Sequence, residues 1–165
     1  MNTLPNSSSS SSHFDGDGPP TLEEMEPKTV GLSWEPTPQL TPQLNPHMTR
    51  GAPHLHFGFA LSSEEFFAYA RARGLVNPQE PGAPLSIETC SIPVVKHLRA
   101  VADANRLYLT IPSLPTPGHV VVALYSNYTM MGVRYQDEDE HDVVRIIKKE
   151  FQLDRPPMWY WSAEY

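Results

Sequence analysis

The sequence predicts an α+β domain of the ferredoxin-like βαββαβ type, an antiparallel sheet with helices on one face, preceded by a disordered N-terminal tail. Three observations predict it. Large apolar residues are sparse in residues 1–50 and concentrated in residues 51–165. From Pro53 onward, segments of period two alternate with segments of helical period. Their order is strand, helices, strand, strand, helix, strand. With the two early helices taken as one crossover, that order is βαββαβ.

The tail, residues 1–50, is low in complexity. A serine run from Ser7 to Ser12 leads into "DGDGPP" and then "TPQLTPQLNP". Repeated proline removes backbone donors and fixes φ, which favours extended, solvated chain. Such a segment buries too little apolar surface to offset its ordering entropy. Thr37-Pro38 and Thr41-Pro42 fit proline-directed phosphorylation, although threonine before proline is common in any Pro/Thr-rich linker. Leu32 and Trp34, in "VGLSW", are the apolar exception, either a segment that docks on the domain or a short motif for a partner.

In "HLHFGFA", His54, His56 and Gly58 face one way while Leu55, Phe57 and Phe59 face the other, which predicts a strand. In "SSEEFFAYARARG", Ser62 and Glu65 form a capping box, and Phe66, Phe67, Ala70 and Leu75 follow helical spacing up to Gly74. "NPQEPGAP" is a loop. Ser91 is placed to cap a second helix, because proline is tolerated in a first turn and Pro93 follows. Val94, Val95, Leu98 and Val101 give that helix an apolar stripe. "RLYLTIP" alternates Leu107, Leu109 and Ile111 against Tyr108 and Thr110, another strand. "HVVVALYS" is apolar on both faces and therefore central. "YTMMGVRY" reads as a strand or a long loop.

"DEDEHDVVRIIKKEFQL" is the strongest helix. Asp137 and Glu140 repeat the capping pattern, and Val143, Val144, Ile147 and Phe151 form its stripe. Its acids lie at the start and Lys148 and Lys149 near the end, each opposing the adjacent pole of the helix dipole. The chain closes on "PPMWYWSAEY". Proline fits a sheet edge, so the last strand is expected at an edge beside the first. Trp159 and Trp161 share one face and Tyr160 takes the other.

Composition narrows function. The net charge is −7, and neither part of the chain is basic. Nucleic-acid binders draw much of their affinity from Lys and Arg that neutralise phosphates, so a nucleic-acid partner is disfavoured. Anionic membrane surfaces are disfavoured on the same ground. Cys90 is the one cysteine, so no intramolecular disulfide forms. The N-terminus shows neither the basic nor the apolar region of a secretory signal, and no apolar run nears the roughly 20 residues of a membrane span. A cytoplasmic or nuclear location is expected. The sequons at Asn6 and Asn127 then read as chance matches.

No catalytic or cofactor motif is present, and neither a metal nor a cofactor is expected. The candidate binding residues are Trp159, Trp161, Tyr108, His54 and His56. His54 and His56 share a strand face and are spaced to hold one ion, but zinc needs three or four ligands. His119 or Cys90 could supply the missing ligand, but a solvated polar face is preferred. Cys90 precedes the expected helix start, yet His97 lies about 10 Å along that helix. A buried structural thiol is therefore preferred. The tryptophans read first as core anchors, because each buried aromatic contributes about 1.5–3 kcal/mol. An aromatic platform for a base, sugar or peptide is the second reading.

Two function classes remain. One is a non-enzymatic interaction or structural module with a phosphoregulated tail, engaging a protein partner or itself. The other is a small-molecule-binding domain or enzyme that uses the sheet face away from the helices, where His54, His56, Tyr108 and Thr110 would line the site. A flat, open face favours the first, and a closed cavity with polar groups favours the second.

Overall fold

Local capping starts the first helix where the sequence places it. The computed structural model describes residues 35–76, 85–113, 119–133 and 137–163. All of them fall in one compact unit. Strand β1 (Leu55–Leu61) leads into helix α1 (Ser63–Ala72). The Ser62 hydroxyl accepts from the Glu65 N–H at 3.1 Å, and the Glu65 carboxylate accepts from the Ser62 N–H at 2.8 Å. This reciprocal pair satisfies two donors that a helix start leaves unpaired. Gly74 follows the helix with φ +64°, a conformation that costs glycine little.

Helix α2 (Ile87–Val101) begins a turn earlier than Pro93 implies. Ser86, not Ser91, is its cap, in a second capping box with Thr89. Pro93 therefore sits inside the helix, where it removes the donor that would meet the Thr89 carbonyl. Thr89 is exposed, so water can serve that carbonyl. The buried stripe of α2 is Cys90, Val94 and Leu98, and Val101 faces out. The thiol of Cys90 is free and buried.

The sheet adds β2 (Tyr108–Thr110), β3 (Val120–Ser126) and β4 (Met158–Trp161). Its strand order is β2-β3-β1-β4, and every neighbouring pair is antiparallel. The architecture is thus α+β, a four-stranded antiparallel sheet plus helices. β3 lies inside the sheet and is buried along its whole length, as an all-apolar run requires. β4 lies at an edge beside β1. "YTMMGVRY" yields neither strand nor plain loop in its described part, but the short helix α3 (Met130–Val133). Helix α4 (Asp137–Phe151) buries Val143 and Ile147.

Two features curl the sheet. Register shifts between Phe57 and Gly58, where β1 runs so close to β3 that a Cβ on Gly58 would collide with the Val122 carbonyl. Beyond their ends, the two edge strands also meet. The Ser113 N–H donates to the Trp161 carbonyl at 2.7 Å, and the Ala163 N–H donates to that of Ile111 at 3.2 Å. Edge strands with free backbone groups invite foreign pairing, and this seam uses some of them up.

Composition assigns residues 35–50 to the tail, but the structure gives them long-range bonds. Thr37 pairs with Trp159 on the outer side of β4, Pro42–Leu44 form a 3₁₀ turn, and Leu44 is buried. The expected disorder of residues 1–34, "VGLSW" included, falls outside the described residues. So does the loop at residues 77–84.

Candidate functional site

Strand alternation divides the side chains of β1 and β4 between two faces. Phe57 and Trp159 share one face with Tyr125, their ring centroids 5.1–5.8 Å apart. Val121, Ala123 and Tyr160 are buried together on the other, with Ala60, Tyr108 and Met158 packed against them. On this second face those side chains pack against one another.

At the end of that face the sequence-predicted residues His54, His56 and Tyr108 come together. Their i, i+2 spacing sets the two histidine rings 4.6 Å apart. Nδ1 of His56 is hydrogen-bonded to the Tyr108 hydroxyl at 2.8 Å. Tyr128 adds its ring edge to His54 at 5.4 Å and donates its hydroxyl to the Ala52 carbonyl. His54 is exposed, whereas His56 is 4% exposed and its Nε2 is buried without a partner. Burial, reinforced by the neighbouring His54, pushes the His56 pKa down to about 4. Burial pushes the Tyr108 and Tyr160 hydroxyls up. The group therefore stays uncharged at His56 and Tyr108 at neutral pH. Those two groups offer polar rings rather than ions.

Trp159 and Trp161 stand apart from this group. They are 5% and 4% exposed, so neither presents a ring face to solvent. Among the described residues, no three His, Cys, Asp or Glu side chains gather where a metal would sit.

Sequence reasoning missed Asn127. Its Oδ1 accepts from the Leu55 N–H at 3.0 Å, and its Nδ2 donates to the Leu44 carbonyl at 2.8 Å and the Pro53 carbonyl at 2.7 Å. Asn127 is fully buried, so its sequon offers no amide for a glycan. One side chain thus ties the 44–53 segment to the end of β3. The available signal was an asparagine directly after an all-apolar strand, where a polar side chain must find backbone partners.

Two exposed methionines flank this tie. Met48, Tyr128 and Met131 are 69%, 48% and 74% exposed. Met48 belongs to the tied segment, Tyr128 follows Asn127 directly, and Met131 lies four residues past Asn127 in α3. Elsewhere a groove of about 370 Å³ runs between the start of α2 and β2, lined by Ile87, Leu109, Ile111, Val120 and Ala163 with Glu88, Ser91 and Thr110.

A second polar cluster joins three helices. Glu150 Oε2 accepts from the Tyr69 hydroxyl at 2.9 Å and pairs with Arg73 at 2.8 Å, with His97 Nε2 at 3.9 Å. Burial first, and then the Glu150 carboxylate, push the Tyr69 hydroxyl up. The cluster links α1, α2 and α4, a structural role that needs no ligand.

The chain matches no family model, and no similar curated protein or solved structure was found.

Proposed function

We propose that this chain is a non-enzymatic protein-interaction module, engaging a partner through the end of the domain marked by Met48, Tyr128 and Met131. The observation that carries this reading is the exposure of those three side chains on two segments that Asn127 ties together. Methionine and tyrosine are enriched at interface cores, and methionine adapts its shape to a partner. Isolated exposed apolar residues need no explanation, but a group on two segments tied by one buried asparagine does. His54 and the Tyr128 ring give the same end a polar aromatic rim.

The wider reading rests on the same frame. The strand order β2-β3-β1-β4, antiparallel throughout, with helices between β1 and β2 and between β3 and β4, supports the ferredoxin-like βαββαβ topology. No helix among the described residues is long and apolar enough to cross a membrane. The acidic balance supports a partner that is not a nucleic acid, and a cytoplasmic or nuclear location is proposed beside it. The bonds of Thr37 and Leu44 support placing the domain boundary upstream of residue 37 rather than at residue 50.

One observation favours a second reading. The groove at α2 and β2 reaches the size of small-ligand sites, and its apolar lining suits a compact apolar molecule. The test of the first reading compares proteins co-purifying with the wild type and with a Met48→Asp, Met131→Asp double variant of equal stability. The module reading expects a specific partner lost from the variant by about ten-fold or more, as truncating interface anchors does. Identical recovery by both chains refutes it.

A further inference from the structure

The contact between Thr37 and β4 is a single rung. Thr37 donates its N–H to the Trp159 carbonyl at 3.1 Å and accepts from the Trp159 N–H at 2.7 Å. The bridge is isolated, and the next N–H on the same side, that of Gln39, turns to the Thr37 hydroxyl instead. The hydroxyl of Thr37 takes no part in that rung. It donates to the Gln39 carbonyl at 3.0 Å and accepts from the Gln39 N–H at 3.4 Å, a local turn over Pro38. Thr37 is only half-buried, and Pro38 and Gln39 are exposed. An acceptor hydroxyl followed by proline thus sits on a short latch that includes two backbone bonds to β4.

We propose that Thr37 is a phosphoacceptor and that its modification unlatches residues 35–40 from the outer edge of β4. In the reaction, the Thr37 hydroxyl oxygen attacks the γ-phosphorus of a nucleoside triphosphate held by a proline-directed kinase. The bond from that phosphorus to the bridging oxygen breaks, the nucleoside diphosphate leaves, and the hydroxyl proton passes to the kinase base. The product has lost the donor that met the Gln39 carbonyl, and phosphoryl oxygens now face that carbonyl, acceptor against acceptor. Two negative charges also arrive two residues from Glu35. The turn opens, and the added charge and bulk of the phosphoryl group, not the lost turn alone, break the rung. Release stops there, because Asn127 and the Thr49 hydroxyl, which donates to the Pro42 carbonyl at 3.0 Å, hold the chain from Pro42 onward. Thr41-Pro42 is the other site of the same type, but its carbonyl serves the 3₁₀ turn and its modification leaves the latch in place.

This inference stands independently of the partner surface. The full chain is incubated with a purified proline-directed kinase, ATP and magnesium. Phosphate is mapped by mass spectrometry, and amide hydrogen exchange is followed in modified and unmodified chain. Phosphate is expected on Thr37, with exchange at the Trp159 amide about ten-fold faster or more, as for a locally opened segment. Exchange at the Ser113 and Ala163 amides should be unchanged. Thr37→Ala should keep Trp159 protected, since its backbone bonds remain, and should take up no phosphate at that position. Phosphate that reaches Thr41 but not Thr37, or phosphate on Thr37 with Trp159 still protected, overturns the proposal.

Discussion

Replacing Trp159 and Trp161 together by alanine should unfold the domain or leave it at the edge of folding. Trp159 packs its ring 5.1 Å from Phe57 and 5.8 Å from Tyr125, and both tryptophans are at least nine-tenths buried. Truncating a buried large aromatic costs about 3–5 kcal/mol, the lost transfer energy plus the cavity left behind. Two such losses reach about 6–10 kcal/mol before coupling between neighbours trims the sum. Whole domains are stable by only about 5–15 kcal/mol. The hydrogen bonds of β4 to Thr37 and β1 are main-chain and survive the substitution, so the loss comes from the two side chains. Thermal melting and urea titration of the double variant beside wild type provide the assay. A melting temperature within a degree or two of wild type would mean that the rings do not pack in the core, and the reasoning from burial to stability would fail.

Asn127→Ala strands a buried N–H and two carbonyls, and should destabilise the domain by roughly 3 kcal/mol or more in urea titration. Gly58→Ala places a methyl against the Val122 carbonyl and should cost about 1–3 kcal/mol, or prevent folding, as judged by circular dichroism melts. His56 should make stability pH-dependent. The unfolded chain protonates it near the usual 6.5 and the folded chain only at about 4, so its contribution is complete above the first value and lost as pH falls toward the second. The loss approaches about 3 kcal/mol, and His56→Phe should shrink the difference in melting temperature between pH 7 and pH 4.5 by a corresponding amount. Deleting residues 1–50 should lower the melting temperature by several degrees more than deleting residues 1–34, because only the longer deletion removes Leu44 from its buried place.

The elements legible in the sequence were those fixed by local rules. Ser62 and Glu65 lie three residues apart, and an apolar run such as Val120–Leu124 has nowhere to go but the inside of a sheet. Pro93 misled because proline is costly in a helix interior, yet here the carbonyl it leaves without a donor belongs to an exposed residue. The 35–50 segment was illegible for a different reason. Its composition is that of a tail, and the bonds that order it come from Trp159 and Asn127, both more than seventy residues away. At the candidate site, alternation alone put His54 and His56 on one face with Tyr108. Tyr128 and the exposed methionines could not be added, because their placement depends on the turn after β3 and on the tie through Asn127.

Site-specific photocrosslinking tests the central claim most directly. A photoreactive phenylalanine analogue replaces Met131 in one version of the full chain and the exposed Arg145 of α4 in another, both expressed in the native cell. The account predicts a discrete covalent adduct with one protein from position 131 and none from position 145. No adduct from position 131, or the same products from both positions, would contradict it.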